Sequence, residues 1–228
     1  SPALTTAIQS SAATKMMSFN IVIVVMVCLG ASSAWADPAP AQVGDGSGIQ
    51  TSLSVDIVGR AGKGAVENRP DRVDVREAEL LIYAPVDQTF DGLLNLAAHQ
   101  EPDGAFFEVH EAYIGSTKLI PRSRFRLGQF FLGFGRLNQF HRHDWPFTSA
   151  PKVQREFFDQ EGLNDTGLEY AILLPLPFYL DLTLGITNGW TFGHAHSIGD
   201  PPLAPLHYAR AATYFELPGD GGVQTGLS

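Results

Sequence analysis

The sequence predicts an all-β fold: the N-terminal portion, with about eight strands, of an antiparallel up-and-down transmembrane β-barrel. Apolar and polar side chains alternate in residues 49–58 and again in residues 178–187, which is the two-residue period of a strand with two different faces. The connections between predicted strands alternate between long and short, as they do in barrels with long outer loops and short inner turns. No stretch after residue 37 has the pattern of a long amphipathic helix.

The composition excludes several classes of protein. Of the 228 residues, 44% are hydrophobic, which is too large a share for a disordered chain. The formal net charge of −9 and the sequence pI near 5.1 provide no basic surface for phosphates, so we expect no nucleic-acid partner. Neither the nucleophile motif of hydrolases nor a nucleotide-binding glycine loop is present, and we therefore expect no enzymatic activity.

The first 36 residues have the features of a secretory signal peptide. Lys15 precedes an apolar run over residues 19–30, and a small-x-small triplet follows at residues 34–36. An apolar run of this length is shorter than the roughly 20 residues that a transmembrane helix needs. We therefore expect a signal peptide that is cleaved before Asp37.

The ends of the sequence complete the predicted domain organisation. Because the chain opens with Ser1 rather than Met, we expect residues 1–15 to be upstream sequence. The single cysteine, Cys28, lies in the apolar run and would be removed with the signal, which leaves no disulfide in the mature chain. Residues 37–48 are predicted to be a linker, and residues 49–228 a partial barrel that is truncated at its C-terminus.

Each predicted strand is long enough to cross a bilayer at a tilt, which takes about 9–11 residues. In chain order the predicted strands cover residues 49–58, 73–84, 88–98, 105–115, 122–134, 166–174, 178–187 and 207–217. The longest connections are residues 135–164 and 189–206. Gly128 and Gln129 interrupt the alternation of their strand and predict a β-bulge there. A soluble β-sandwich remains an alternative, because sandwich strands also alternate.

Two sequence phrases in the middle of the chain carry a family resemblance. The first is Leu127-Gly128-Gln129-Phe130-Phe131, followed by Phe134-Gly135-Arg136-Leu137-Asn138. The second is His141-Arg142-His143-Asp144-Trp145-Pro146-Phe147, followed by Pro151 and by Gly162-Leu163-Asn164-Asp165-Thr166-Gly167. The first phrase resembles the barrel strands of Gram-negative porin-like proteins. The second is similar to outer-membrane proteins labelled zinc-regulated outer-membrane receptors. The resemblance covers about residues 105 to 190.

The resemblance implies a barrel in the outer membrane of a Gram-negative bacterium, with membrane lipid and small solutes or ions as partners. The receptor label also implies a TonB-dependent protein with a large plug domain ahead of the barrel. Residues 37–48 are too few to form a plug, so the preferred interpretation is a porin-like channel that works by diffusion and could assemble as a homotrimer. The alternatives are a receptor-type transporter for a metal or metal complex, and a soluble secreted β-sandwich binding module.

Charged residues on the predicted strands, or just past the end of one of them, are candidates for facing a channel lumen. Cations and carboxylates that face one another across a lumen set its ion selectivity. The candidates are Arg124, Arg126, Arg136, Glu169 and Asp181. Loop 135–164 is too rich in aromatic residues for a freely solvated loop. We expect it to pack inside the lumen as a constriction, or at the level of the lipid headgroups.

The histidines suggest a metal site. Two H-x-H pairs, His141 with His143 and His194 with His196, lie in the two long loops. Four imidazoles could hold a zinc ion if the loops meet, whereas solvated loop histidines are the alternative. Of the seven histidines, His110 is predicted to lie inside a strand, whereas the other six are predicted at the outer end of the barrel, in loops or at a strand end.

Overall fold

The computed structural model describes residues 20–27, 48–60, 73–101, 104–145, 150–158, 162–189, 204–217 and 221–228. The strands are β1 (Asn20–Val27), β2 (Gln50–Arg60), β3 (Val73–Pro85), β4 (Asp91–Glu101), β5 (Gly104–Ser116), β6 (Ser123–Phe131), β7 (Asn164–Leu173), β8 (Tyr179–Thr187), β9 (Leu206–Leu217) and β10 (Gly221–Leu227). Between β6 and β7 lie a 3₁₀ turn (Arg142–Asp144) and the short helix α1 (Lys152–Phe158). In the described part of the chain, no helix has the length and apolar character needed to cross a membrane.

All ten strands form one antiparallel sheet in which each strand pairs with the next one along the chain. The all-β, up-and-down prediction is therefore confirmed. The described residues show no pairing between β1 and β10, the two ends of the strand order. The number of strands exceeds the predicted eight because β1 and β10 were not expected. β1 lies within the predicted signal peptide, so cleavage before Asp37 would make β2 the edge of the sheet.

The two faces of the sheet have opposite chemistry. One face, which we call the inner face, buries polar side chains: Asp56, Glu77, Glu79, Asn95, His99, Glu111, Glu169 and Thr183. The opposite, outer face exposes apolar side chains: Leu53, Leu80, Leu96, Val109, Ile114, Leu127, Leu184 and Ile186. On β8, for example, Thr183 is 2% exposed whereas its neighbour Leu184 is 57% exposed. The alternation predicted for residues 49–58 and 178–187 is thus confirmed.

Two β-bulges add a charged or ionisable residue to the inner face. The pairing of β2 with β3 shifts after Asp56, and the shift leaves Arg76 as the additional residue. The buried Arg76 guanidinium forms an ion pair with the Asp56 carboxylate. The pairing of β4 with β5 shifts after Asn95, and His110 is the additional residue there. A bulge places two residues opposite one, so consecutive side chains can both reach the same face.

The bulge predicted at Gly128 and Gln129 is wrong, because both residues pair with β5 and β7 without a shift in register. Gly128 adopts a φ of 141°, and a Cβ there would overlap the carbonyl oxygen of Ala112. Position 128 thus needs glycine because β5 passes too close to leave room for a Cβ atom, and not because a residue is inserted in the strand.

One connection is shorter than the alternation of loop lengths predicts. β4 and β5 are separated by residues 102–103 alone, because both strands extend into the expected loop. His99 therefore lies within β4, and His207 likewise lies within β9, so His110 is not the only strand histidine. The long connection between β6 and β7 is present as expected.

Gly167 on β7 provides a test of the close packing of the strands. A Cβ at this position would overlap the carbonyl oxygen of Ile186 on β8, and neither backbone can move without disturbing the ladder. We predict that Gly167→Ala lowers the free energy of unfolding by about 1–3 kcal/mol in denaturant titrations. The control is Gly92→Ala on β4, where a Cβ would meet its nearest atom, Val86 Cγ2, at 3.5 Å. It should cost less than about 0.5 kcal/mol, and equal losses in the two variants would contradict the close approach.

Candidate functional site

The candidate site is the polar inner face together with the described residues, 132–145, 150–158 and 162–163, of the loop between β6 and β7. Asn138 closes the neck of this loop through three hydrogen bonds. Its Nδ2 donates to the carbonyl oxygens of Leu132 and Leu163 at 2.8 and 2.9 Å, and its Oδ1 accepts from the Leu163 backbone N–H at 2.5 Å. Because Asn138 is buried, these bonds are protected from competition with water. The two ends of the loop are thereby held together at the end of the β6–β7 pair.

Apolar packing seats the loop on the sheet. A buried cluster joins β6, β9 and the two ends of the loop, and its members are Phe130, Leu132, Leu163 and Tyr208. Phe134 from the loop and Phe158 from α1 pack against this cluster, with their rings 5.6 Å apart in an edge-to-face contact. The described parts of the loop therefore pack against the inner face of the sheet.

His141 links the loop to β3 and β5. Its Nδ1 lies 3.0 Å from Oε1 of Glu79, and its Nε2 lies 3.1 Å from Oε2 of Glu111. Burial alone would lower the pKa of His141, but the charge of Glu79 and the hydrogen bonds to both carboxylates outweigh it and raise the pKa to about 10. His141 therefore carries a proton at neutral pH and donates from both ring nitrogens. Asn95 Nδ2 donates a further bond to Glu79 Oε2 at 2.7 Å.

Glu169 is a second point where several elements meet. Its Oε1 accepts from Arg126 Nη2 at 2.7 Å and Nε at 3.1 Å. Its Oε2 accepts from the Tyr208 hydroxyl at 2.6 Å and from the Gly133 backbone N–H at 2.9 Å. Arg124 Nη2 lies 3.7 Å from the same carboxylate. One buried carboxylate thus connects β6, β7, β9 and the start of the loop, and brings together three of the five predicted lumen residues.

The other two predicted lumen residues lie apart from this group. Asp181 is next to Arg210 on the neighbouring strand, with Oδ1 3.8 Å from Nη1. Arg136 is exposed in the loop and donates to Gln224 Oε1 on β10 at 3.3 Å. The five predicted residues therefore form one buried network and two separate pairs.

Histidine and glutamate side chains gather where β3, β4 and β5 meet the loop. Three overlapping groups have ligand atoms that all lie within 4.8 Å of one another: Glu77, His99 and His110; Glu79, His110 and His141; Glu77, Glu79 and His143. Imidazole nitrogen and carboxylate oxygen are ligands that zinc takes in proteins. These residues could therefore hold a divalent metal ion.

The predicted metal ligands are placed only in part. His141 and His143 lie together, with ring centroids 5.7 Å apart, and among the described residues their ligand-bearing neighbours are on the strands. His194 and His196 lie outside the described residues. Sequence reasoning missed the strand ligands of β3 and β4. The Glu77-x-Glu79 spacing was an available signal, because residues two apart on a strand share a face.

Comparisons with known proteins assign no activity to the site. No protein-family model matches the chain, and no solved structure matches it. A region of 151 residues is 38% identical to an uncharacterized protein of Aquifex aeolicus (strain VF5). The match covers 61% of this chain but only 31% of that protein, so the chain spans about a third of the relative's length.

The Glu169 network predicts a large loss of stability when its charge is removed. In Glu169→Gln the buried Arg126 would lose its closest carboxylate, although Glu111 remains 3.7 Å from its guanidinium. We expect the free energy of unfolding to fall by about 3 kcal/mol, the lower end for a broken buried ion pair. Glu156→Gln, on the exposed surface of α1, is the matched control and should change it by less than about 0.5 kcal/mol. A cost for Glu169→Gln no larger than that of the control would contradict the role of this network.

Proposed function

We propose that the chain forms part of the wall of an outer-membrane β-barrel that acts as a porin-like channel for small solutes or ions. The observation that carries the proposal is the inverted chemistry of the sheet, with charged side chains buried on the inner face and apolar side chains exposed on the outer face. A lipid-facing wall around a polar lumen has this arrangement.

The cost of exposing the outer face to water supports a lipid environment. Leu184, Leu127 and Ile114 are 57%, 51% and 46% exposed, and they belong to a face that is apolar on most of the strands. Exposed apolar surface costs about 25 cal/mol per Å² in water, and monomeric soluble proteins rarely expose a large contiguous patch. A soluble sandwich would cover such a face with a second sheet, whereas the described strands form a single sheet.

Strand length and backbone pairing support the same proposal. β2, β4, β6, β7 and β8 contain 11, 11, 9, 10 and 9 residues, close to the 9–11 that a tilted strand needs to cross a bilayer. Consecutive antiparallel pairing satisfies the backbone N–H and C=O groups between strands, which lipid cannot do. Closure of the sheet into a barrel is part of the proposal.

The loop of residues 132–163 would narrow the lumen. Asn138 closes its neck, and His141 fastens it to β3 and β5 across the inner face. Four carboxylates lie near this constriction and outnumber the protonated His141 that pairs with two of them: Glu77, Glu79, Glu108 and Glu111. An excess of acidic side chains attracts cations and repels anions, so we propose that the channel prefers cations.

A receptor-type transporter for a metal is the second candidate function. The observation that favours it is the group of buried histidine and glutamate side chains around His110. The two candidates differ in energetics, because a receptor needs coupling to TonB whereas a channel conducts without it.

The membrane location is tested by fractionation of cells that express the full-length protein. We expect the protein in the outer-membrane fraction, and we expect its gel mobility to change on heating, as is typical of folded barrels. Recovery of the folded protein in the soluble periplasm would contradict the barrel and favour a β-sandwich.

Channel activity is tested by conductance of the purified full-length protein in planar lipid bilayers. We predict a cation-preferring conductance that increases in Asn138→Ala, because the loop loses the side chain that closes its neck. Asn188→Ala, at an exposed position after β8, is the control and should leave the conductance unchanged. Absence of conductance, together with saturable metal uptake that is lost without TonB, would favour the receptor. An unchanged conductance in Asn138→Ala would contradict the constriction.

A further inference from the structure

We infer that the inner face contains a binding site for one divalent transition-metal ion of the zinc type, formed by Glu77, His99, Glu108 and His110. These residues lie on three consecutive strands, β3, β4 and β5, at the end of the sheet that the loop covers. The site differs from the paired-loop histidine site that the sequence suggests. It goes beyond the proposed channel and does not depend on it, because the site involves only neighbouring strands.

Three of the ligand atoms form a nearly equilateral triangle. His99 Nε2 lies 3.1 Å from His110 Nε2, and both nitrogens face Glu108 Oε1, at 2.8 Å from His99 and 3.0 Å from His110. Three atoms about 3 Å apart can all lie at 2.0–2.1 Å from one ion, the usual distance for zinc to imidazole nitrogen and carboxylate oxygen. The spacing therefore fits a shared ion without rearrangement of the strands.

One cation can take the place of the protons in this triangle. A carboxylate oxygen only accepts, so an imidazole that bonds to Glu108 does so by donating from Nε2–H. When those protons leave, each Nε2 presents the lone pair that binds zinc, and the carboxylate oxygen points at the same centre. A single divalent cation then interacts favourably with all three atoms.

Glu77 is the candidate for the fourth ligand. Its Oε1 lies 3.5 Å from Nδ1 of His110, so the carboxylate would have to rotate to bring an oxygen to the Nε2 side. Its carboxylate belongs with His99 and His110 to a group whose ligand atoms all lie within 4.8 Å of one another, and the three residues are 2%, 7% and 4% exposed. Two imidazoles and two carboxylates give the four ligands of a tetrahedral zinc site. Burial of two carboxylates near two imidazoles also favours a divalent cation, because ionised groups removed from water need compensating charge.

The neighbouring carboxylates are less suited to the ion. Glu79 already accepts from Asn95 Nδ2 and is paired with the protonated His141, and Glu111 pairs with the other nitrogen of that ring. These contacts fix the loop. The triangle at His99, Glu108 and His110 takes part in none of these contacts, so we assign the ion to it.

The experiment is a zinc titration of the purified full-length protein by calorimetry, followed by X-ray absorption of the loaded protein. We expect one zinc per chain with nitrogen and oxygen ligands, including imidazole, at about 2.0–2.1 Å. Affinity should fall about 100-fold or more in His99→Gln and in Glu108→Gln, since loss of an indirect partner alone costs 10–100-fold. His207→Gln and Glu156→Gln, at exposed positions on β9 and α1, are the matched controls and should bind as the parent does.

Two results would overturn the site. One is a folded parent protein that binds no zinc stoichiometrically. The other is unchanged affinity in Glu108→Gln, whose side chain is partly exposed at 19% and therefore tolerates substitution best. Loss of binding in His141→Gln with full binding in Glu108→Gln would assign the ion to the loop group instead. Zinc binding and conductance are measured in separate experiments. A protein that binds zinc but conducts no ions would therefore contradict the channel and leave the metal site intact.

Discussion

Carboxylates buried on the inner face need partners, because removing an ionised group from water costs several kcal/mol unless opposite charge and hydrogen bonds compensate. Glu79, Glu111 and Glu169 are between 1% and 9% exposed. Their partners come from other elements: His141 from the loop and Arg126 from β6. Charge therefore holds the strands and the loop together, in addition to the apolar cluster around Phe130 and Leu132.

The remaining features follow from this arrangement. With the polar side chains turned inward, the period of two residues per strand turns leucine, isoleucine and valine outward. The exposed apolar outer face supports the proposed lipid environment, and the polar groups of the inner face need water, an ion or the covering loop as partners. The loop satisfies part of the inner face through His141, and a metal ion at His99 and His110 would satisfy another part. The proposed channel and the proposed metal site thus both depend on the same polar inner face.

The sequence predicts the features that depend on local pattern. Alternation in residues 178–187 identifies a strand with two faces, and an aromatic-rich connection predicts a loop that packs on the sheet. The sequence does not predict the two observed bulges, because an inserted residue such as His110 breaks the alternation that identifies which face a side chain lies on. Nor does it predict contacts between distant elements, such as the one between Glu79 and His141, which lie 62 residues apart. The candidate metal cluster depends on both, which is why only its loop histidines were expected.

The central claim is that apolar residues of the sheet face lipid while polar residues face inward, and spin labelling along β8 tests it most directly. Labels would be placed at residues 181–184 and 186 of the full-length protein in lipid bilayers, in a background without native cysteines. We predict that labels at Leu182, Leu184 and Ile186 collide readily with oxygen, which concentrates in lipid. Labels at Asp181 and Thr183 should be protected from it. Oxygen accessibility without a period of two residues, or greater access of a water-soluble nickel complex to Leu184 than to Thr183, would contradict the claim.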